Sequence, residues 1–198
     1  MSTTSRQANQ SRKTAETEVS LSINLDGEGR SSVDTGVPFF DHMLTLFSRH
    51  SLCDLEIKVK GDVEVDFHHT VEDTGIVLGE CIREALGDKV GITRYGLSYV
   101  PMDEALARTV IDLSNRPWLE FRADENTPSA QNFPFSLVEE FCRAFSSNLR
   151  ANLHIEVFYG RDGHHIAESI FKSLARAVRE AVQRDPRVKG LPSTKEML

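Results

Sequence analysis

The sequence has few cysteines, no long apolar run and no excess of basic charge. Its three cysteines are an odd number without CxxC spacing, which argues against a disulfide framework or a thiolate zinc site and favours a reducing cytoplasm. No apolar stretch approaches the roughly 18 residues that span a bilayer, and residues 1–13 lack the apolar segment of a secretory signal. A formal net charge of -7 argues against a nucleic-acid partner, because such proteins present a clustered basic surface.

The 198 residues have the composition of an ordinary folded protein, with 39% hydrophobic and 27% charged residues. The polar start predicts a flexible tail over residues 1–12; the alternative is an organelle transit peptide, since no acidic residue precedes Glu16. We expect one domain over residues 13–198. The polar, proline-containing stretch 124–134 predicts a loop that divides it into halves at about 13–123 and 124–198.

Alternating apolar and polar residues predict strands at 19–25, 55–60, 63–67 and 153–159. The turn Asp26-Gly27 predicts that the first of them ends in a hairpin. Helical spacing predicts a helix over 70–86 that ends at Gly87, and another over 164–182. This order of elements predicts an α+β protein in which helices cover one face of antiparallel or mixed sheets.

One five-residue pattern occurs twice, 96 residues apart, as His68-His69-Thr70-Val71-Glu72 and as His164-His165-Ile166-Ala167-Glu168. Side chains three residues apart share one face of a helix, so we expect the second histidine and the glutamate of each copy to bind one cation. Adjacent residues diverge by about 100° on a helix, so the two histidines of a copy serve different ions. The two copies therefore predict at least two metal sites.

The duplication extends to the helix before each copy. His42 lies 26 residues before the first double histidine and Glu140 lies 24 before the second, so each half gains one more candidate ligand. Imidazole and carboxylate donors without thiolate favour manganese, iron, cobalt or zinc, and several such ligands favour octahedral manganese. His154 lies in an alternating strand, so we expect it to be packed or hydrogen bonded rather than metal bound, and His50 stays unassigned.

A second group of residues has the chemistry to hold a phosphate. It combines basic side chains, mostly at turns, with hydroxyl donors near the end of the chain: Arg94, Arg116, Lys172, Ser193, Thr194 and Lys195. An arginine fork binds a phosphate through two hydrogen bonds, and a hydroxyl adds another. Glu16, Asp103 and Glu104 are candidate proton carriers, which the sequence does not rank.

Six segments carry a resemblance to a known family: FFDHML at 39–44, DFHHTVED at 66–73, GITRYG at 91–96, PMDEAL at 101–106, NRP at 115–117 and HHIAE at 164–168. On these segments the chain resembles imidazoleglycerol-phosphate dehydratases over about residues 13–198. The resemblance implies a hydro-lyase of histidine biosynthesis that dehydrates D-erythro-imidazole-glycerol phosphate to imidazole acetol phosphate and water. It also implies an internally duplicated α+β fold, ribosomal-protein-S5-domain-2-like, with a helical layer between two mostly antiparallel or mixed sheets.

The same resemblance implies two Mn²⁺ ions per active site, with other divalent first-row ions possible, and trimers that assemble into a 24-subunit shell with sites between subunits. The implied metal ligands are His42, His68, His69, Glu72, His164, His165 and Glu168. The implied substrate contacts are Glu16, Arg94, Arg116, Lys172, Ser193, Thr194 and Lys195. Glu16 is the expected proton carrier, and Glu72 and Glu168 are the other catalytic carboxylates.

The chain departs from the family pattern at two places. Glu140 stands where members of the family often have a metal-binding histidine, and we add it to the ligands because a carboxylate can take the same place on manganese. Residues 196–198 are Glu-Met-Leu rather than the usual Gly-Val-Leu ending. We expect an active site with a slightly altered metal preference.

Two other functions would use the same residues. A metal-storage or metal-sensing protein would bind cations without turnover, and its basic residues would be surface charge only. A structural assembly protein would hold its subunits together through metals, so chelation would dissolve the oligomer with no substrate to lose. Affinity for a phosphorylated compound distinguishes the enzyme from both.

Overall fold

The computed structural model describes residues 6–195. The strands in this part are β1 Gln7–Lys13, β2 Thr17–Asn24, β3 Ser31–Asp34, β4 Asp54–Gly61, β5 Tyr95–Met102, β6 Ala105–Asp112, β7 Trp118–Arg122 and β8 Asn152–Tyr159. The helices are α1 Pro38–Ser51, α2 His68–Leu86, α3 Ser136–Leu149 and α4 Gly163–Val182. The predicted strands at 19–25, 55–60 and 153–159 and the two predicted helices are confirmed to within a few residues.

The two halves of the chain form the same arrangement twice. The first four strands form a sheet in the order β1-β2-β4-β3, and the last four form a sheet in the order β5-β6-β8-β7. In each sheet only the last pair is parallel, β3 with β4 and β7 with β8. Each repeat therefore has the element order strand, strand, strand, helix, strand, helix, which confirms the duplicated α+β fold with mixed sheets.

The four helices form one layer between the two sheets. α1 and α2 pack on the first sheet and α3 and α4 on the second, while α1 contacts α4 and α2 contacts α3 across the middle. The apolar face of each strand points into this layer, as in β2, where Val19, Leu21 and Ile23 are buried. No helix within residues 6–195 combines the length and apolar character that crossing a bilayer requires.

Close packing between β5 and α4 depends on a glycine. A Cβ atom at Gly96 would lie 1.9 Å from the carbonyl oxygen of Ala177. Any other side chain would push the edge strand away from the helix that carries the second double histidine. The glycine therefore sets how closely the second sheet packs against α4.

The expected tail over residues 1–12 is wrong for its second half. Residues 7–13 form β1, which pairs antiparallel with β2 from Gln7↔Asn24 to Lys13↔Glu18. Only Ala8 of this edge strand is a buried apolar residue, so the sequence carries no apolar alternation there. Backbone pairing and the ion pairs of Arg6 with Asp26 and of Arg12 with Asp73 hold it instead. Residues 1–5 lie outside the described residues.

The expected boundary between halves at 124–134 is also wrong. That stretch is a loop, but it joins β7 to α3 inside the second repeat. Because β5, β6 and β7 share a sheet with β8, the repeats meet between Leu86 and Tyr95. The short link 87–94 has no polar, proline-containing stretch like that of residues 124–134, so its composition did not mark it as the boundary.

Two local predictions failed as well. Residues 63–67 are not a strand: residues 63–65 form a turn, and Val65 is 71% exposed. The alternating pattern of this segment therefore does not reflect a half-buried strand. The turn at Asp26-Gly27 does not make a hairpin, because β3 pairs in parallel with β4 rather than with β2.

Candidate metal centre

Three ligand atoms from both repeats meet beside α4. The Nε2 atom of His42, on α1, lies 3.0 Å from Oε1 of Glu168, and Nε2 of His164 lies 2.9 Å from the same oxygen. The ligand atoms of these three residues all lie within 4.8 Å of one another. Two imidazole nitrogens and a carboxylate oxygen, without sulfur, are a donor set that fits a divalent first-row ion.

Glu168 is a buried carboxylate that stays ionised. Burial by itself would raise its pKa, but hydrogen bonds with Lys172, His42 and His164 lower the pKa to about 2. Lys172 pairs with Oε2, the oxygen that faces away from the two histidines. A buried carboxylate that stays in the charged form is suited to binding a cation.

The histidine that contacts Glu168 is the first of its pair, whereas the sequence predicts that the second histidine shares a cation with the glutamate. The shared cation stays a prediction. His164 and Glu168 are four residues apart, and His68 and Glu72 repeat this spacing with 3.9 Å between Nε2 and Oε2. Side chains at i and i+4 stack over one another on a helix, and here this spacing brings the donors closer than i and i+3.

The two histidines of each copy point in different directions, as predicted. The rings of His164 and His165 are inclined by 82°, and those of His68 and His69 by 89°. The second histidine of each copy binds a carboxylate through Nδ1: His165 Nδ1 lies 2.6 Å from Oε2 of Glu104, and His69 Nδ1 lies 3.0 Å from Oδ2 of Asp62.

These two carboxylates shift the pKa values of the histidines. The hydrogen bond that Asp62 accepts raises the pKa of His69, and the one that Glu104 accepts raises the pKa of His165. In turn, hydrogen bonds with His165 and the backbone lower the pKa of Glu104 to about 2. The sequence named Glu104 only as a proton carrier and missed Asp62, which lies in the turn after β4.

The first copy of the motif does not gather a complete cluster within one chain. Among residues 6–195, no third donor joins His68 and Glu72 at the spacing seen around Glu168. Glu140 is the fifth residue of α3, as His42 is the fifth of α1, and it is half-buried. α3 packs against α2, which carries His68 and Glu72, so Glu140 has the equivalent place in the repeat.

Two of the predicted phosphate-binding residues, Arg94 and Arg116, form a separate basic cluster around Asp112, whereas Lys172 lies beside Glu168. Arg94 donates from Nε and Nη2 to the two oxygens of Asp112 at 2.7 and 3.1 Å, and from Nη1 to the carbonyl of Pro192 at 2.7 Å. The side chain of Arg116 is 63% exposed and lies 3.8 Å from Asp112. Arg94 thereby ties the segment 191–195 to this cluster.

Arg94 has an uncommon backbone conformation. Its φ angle is +73°, in the left-handed region that costs a non-glycine residue on the order of 1–3 kcal/mol. Its N–H donates to Ala181 and its carbonyl accepts from Leu113, at 2.9 and 3.1 Å. The side-chain bonds to Asp112 also raise the pKa of Arg94, so the cation is firmly held.

The remaining predicted residues lie in several places. Glu16 is exposed in the turn between β1 and β2, and its negative charge contributes to the raised pKa of His69. Ser193 is half-buried and accepts a hydrogen bond from the N–H of Lys195 at 3.2 Å; Thr194 and Lys195 are exposed. His154 is exposed, against expectation, because its side chain lies on the outer face of β8. Residues 196–198, with their unusual ending, lie outside the described residues.

His50 lies near the same helix as the metal cluster. Burial lowers its pKa, and the nearby charges of Lys172, Arg176 and Arg49 lower it further. The lowered pKa favours the neutral form of His50, but His50 is not among the three residues whose ligand atoms gather around Glu168.

Comparison with known proteins agrees with the fold and with the motifs. Residues 35–178 match the family model described as imidazoleglycerol-phosphate dehydratase. A protein of that name from Akkermansia muciniphila is 63% identical over 195 residues, covering 98% of this chain and 100% of that protein. One from Bacillus licheniformis is 56% identical over 193 residues, covering 98% of this chain and 100% of that protein.

Two crystal structures have the same architecture. The imidazoleglycerol-phosphate dehydratase of Staphylococcus aureus has a TM-score of 0.82 at 41% identity, covering 90% of this chain and 99% of that one. The enzyme IGPD of Pyrococcus furiosus has a TM-score of 0.81 at 36% identity, covering 96% of this chain and 100% of that one.

Proposed function

The chain belongs to the imidazoleglycerol-phosphate dehydratase family, and we propose that it dehydrates D-erythro-imidazole-glycerol phosphate to imidazole acetol phosphate and water in histidine biosynthesis. Membership of this family makes it a hydro-lyase. The observation that carries the proposal is the cluster of His42, His164 and Glu168. The substrate C–H bond has no neighbouring carbonyl to acidify it, so the reaction requires the charge stabilisation that such a cluster provides through a cation.

The proposed cofactor is a pair of divalent ions per active site, Mn²⁺ by preference and other first-row ions as substitutes. The proposed ligands are His42, His68, His69, Glu72, Glu140, His164, His165 and Glu168. When bound, the ions would supply Lewis acidity to the substrate ring and to its hydroxyl group. The all-nitrogen-and-oxygen donor set and the ionised, buried carboxylate of Glu168 support this assignment.

Glu140 in the place of a histidine changes the charge of one proposed site. The cluster around Glu168 has two imidazoles and one carboxylate, whereas the equivalent set of His68, Glu72 and Glu140 has one imidazole and two carboxylates. Carboxylate-rich sites favour harder ions such as Mn²⁺ over zinc. We propose that this asymmetry biases the enzyme towards manganese.

We propose that the active site is completed by a neighbouring subunit in a homo-oligomer, with trimers assembled into a 24-mer. The incomplete gathering of ligands around His68 and Glu72 supports a second chain as the source of the missing donors. The large apolar and aromatic side chains that the second sheet exposes also support it: Tyr95, Leu97, Tyr99, Trp118, Phe158 and Tyr159. Native mass spectrometry tests this by giving a multiple of the 22.2 kDa chain mass.

The basic cluster around Asp112 is the proposed site for the substrate phosphate. Arg116 is the better-placed of the two arginines, because it is exposed and loosely paired. Arg94 already uses three of its five N–H donors on Asp112 and Pro192, so it holds the site together and has two donors left. The segment Ser193 to Lys195 would add ammonium and hydroxyl donors there. Lys172 pairs with Glu168, so we propose that it contacts the substrate beside the metal cluster.

Glu16 is the proposed proton carrier. Its carboxylate has no hydrogen bond or ion pair within residues 6–195, and it lies close enough to His69 to influence the pKa of that ring. A carboxylate that is exposed and unpaired beside the ligand set can move to the substrate and exchange a proton. Glu72 and Glu168 would contribute to catalysis as ligands.

A cytoplasmic location is also proposed. The three cysteines, Cys53, Cys81 and Cys142, are all free and buried, which agrees with a reducing compartment. The absence of a nucleic-acid or membrane partner stays a prediction from charge and composition.

The direct test of the function is turnover. Protein stripped of metal with a chelator, and a portion reloaded with Mn²⁺, is incubated with imidazole glycerol phosphate, and the acetol phosphate ketone is measured. Ketone formation only in the reloaded portion is expected. Tight binding of Mn²⁺ with no ketone formed would favour a metal-storage or metal-sensing protein, and loss of the oligomer on chelation without any substrate affinity would favour an assembly protein.

A further inference from the structure

The hairpin turn of each repeat carries a glutamate near the second histidine of the metal motif. In the first repeat Glu16 lies in the turn between β1 and β2, close to His69. In the second repeat Glu104 lies in the turn between β5 and β6, and its carboxylate is 2.6 Å from Nδ1 of His165. The two glutamates are thus structural counterparts, yet only Glu104 bonds directly to a ring.

Glu104 is held from both sides. Its Oε1 atom accepts hydrogen bonds from the backbone N–H groups of Arg161 and Asp162, at 3.0 and 2.9 Å, while Oε2 faces His165. The side chain of Glu104 therefore connects the β5–β6 turn with the loop that leads into α4 and with the double histidine at the start of α4. The tight turn itself includes Asp103 at a φ angle of +45°, which fixes where Glu104 begins.

The chemistry of this contact determines which nitrogen of His165 is free. An ionised carboxylate only accepts hydrogen bonds, so Nδ1 of His165 must carry the proton that it donates. In the neutral ring, the lone pair then lies on Nε2, on the opposite edge, where it can bind a metal. Nε2 lies 3.8 Å from Oδ2 of Asp103, and the side chain of His165 is 28% exposed.

We propose that Glu104 is a positioning residue that fixes the tautomer and orientation of His165 for metal binding, and that Asp62 does the same for His69. This inference rests on the proposed metal site. It also explains the different roles of the two hairpin glutamates: because Asp62 binds Nδ1 of His69 in the first repeat, the carboxylate of Glu16 is left for proton transfer. Glu104 has no such substitute and stays committed to His165.

Glutamine at position 104 distinguishes positioning from simple packing. A carboxylate accepts hydrogen bonds on both oxygens, as three donors require here, whereas a glutamine amide has one accepting oxygen and one donating nitrogen. Either the two backbone N–H groups or His165 would face a donor. Glu104→Gln is therefore expected to weaken Mn²⁺ binding about 10- to 100-fold despite its nearly identical shape. Glu56→Gln, an exposed change on β4, is the matched control and is expected to bind as the unchanged protein does.

Mn²⁺ affinity is measured on the full oligomer by competition with a chelator of known affinity, with circular dichroism as the check of folding. Turnover is measured at increasing Mn²⁺, and excess Mn²⁺ is expected to restore much of the activity of Glu104→Gln, which a merely structural defect would not allow. In a His165→Ala background, Glu104→Gln is expected to add little, because the two act through one contact.

The outcomes separate the two proposals. Tight Mn²⁺ binding by the unchanged protein with equally tight binding by Glu104→Gln overturns the positioning role alone. Failure of the unchanged protein to bind Mn²⁺ overturns the proposed metal site and the positioning role together. If Glu104→Gln does not fold, Asp62→Ala, which removes the acceptor for Nδ1 of His69, gives the equivalent measurement in the first repeat, where unchanged affinity would overturn the inference for both carboxylates.

Discussion

His42 and Glu168 are 126 residues apart in the chain and belong to different repeats, yet their Nε2 and Oε1 atoms lie 3.0 Å apart. The contact depends on the packing of α1 against α4 in the middle layer. A duplicated chain that closes its two halves on one another thus makes a ligand cluster that neither half contains alone.

The role of Glu16 can be tested by removing its charge. Glu16→Gln is expected to lower turnover at least about 100-fold, because a positioned acid or base contributes about that much, while Mn²⁺ content stays unchanged. Glu18→Gln is the matched control, two residues further on and exposed. Turnover and metal content are measured on the same samples. Undiminished turnover in Glu16→Gln would remove this residue from the proton-transfer step.

Replacing each of the two arginines near Asp112 by alanine is expected to have a different effect. Arg116→Ala should raise KM for the substrate about 10- to 100-fold, the value of a hydrogen bond to a charged group, with little change in thermal stability. Arg94→Ala should also lower stability by about 3 kcal/mol, because it leaves Asp112 and the carbonyl of Pro192 without their partner. Steady-state kinetics and thermal unfolding measure both effects.

Arg122→Ala, an exposed change on β7, is the control for the arginine pair. It should leave KM and the unfolding temperature unchanged. An equal effect of Arg94→Ala and Arg116→Ala on stability would contradict the difference in burial between them.

The close approach of β5 to α4 predicts a large effect of one methyl group. Gly96→Ala places a Cβ atom 1.9 Å from the Ala177 carbonyl, and the backbone of neither element can yield without losing contacts, so stability should fall by about 3 kcal/mol or more. Gly190→Ala has no atom within 4 Å of its new Cβ and should change stability by less than about 0.5 kcal/mol. Urea unfolding at one protein concentration compares them, and equal midpoints would exclude the steric effect.

The ion pair that holds the start of the chain should depend on pH. The hydrogen bond from Arg6 lowers the pKa of Asp26 below its ordinary value of 3.8. A lowered folded-state pKa stabilises the protein above the unfolded pKa, and this contribution disappears as the pH falls through the folded value. Because the Asp26 side chain is 55% exposed, the contribution should be below about 1 kcal/mol.

Asp26→Asn removes this contribution. The difference in unfolding free energy between the unchanged protein and Asp26→Asn should be largest at pH 7 and shrink towards pH 3. Urea unfolding at several pH values measures it. A difference that stays constant across this range would mean that the charge of Asp26 is not what Arg6 stabilises.

The motifs were predictable from the sequence because both copies of the double histidine are local patterns. The repeat also predicted His42 as a ligand, and the contact with Glu168 agrees with that assignment. The sequence did not predict the direct contact of the first histidine, His164, with Glu168, since side-chain direction as well as spacing decides which donor lies next to that carboxylate. Helix geometry determines on which face of the helix a residue lies, but not the rotamer of its side chain.

Other features depend on contacts between distant segments. Asp62 contacts His69, and Glu104 contacts His165, only because a turn and a hairpin bring them together in the folded chain. No local sequence pattern therefore identifies these two carboxylates. The polar edge strand β1 is held by pairing with β2, and alternation of apolar residues cannot detect such a strand. The boundary between repeats depends on which strands belong to which sheet, and only strand pairing in the folded protein determines that.

The central claim is that dehydration requires a metal held by ligands from both repeats, and His42→Ala tests it most directly. Ketone formation from imidazole glycerol phosphate is measured with matched Mn²⁺ for the unchanged protein, for His42→Ala and for Thr45→Ala, an exposed change one turn further along α1. Turnover that is lost on chelation and in His42→Ala, but kept in Thr45→Ala, is the predicted result. Turnover that persists after chelation, or that is undiminished in His42→Ala, would contradict it.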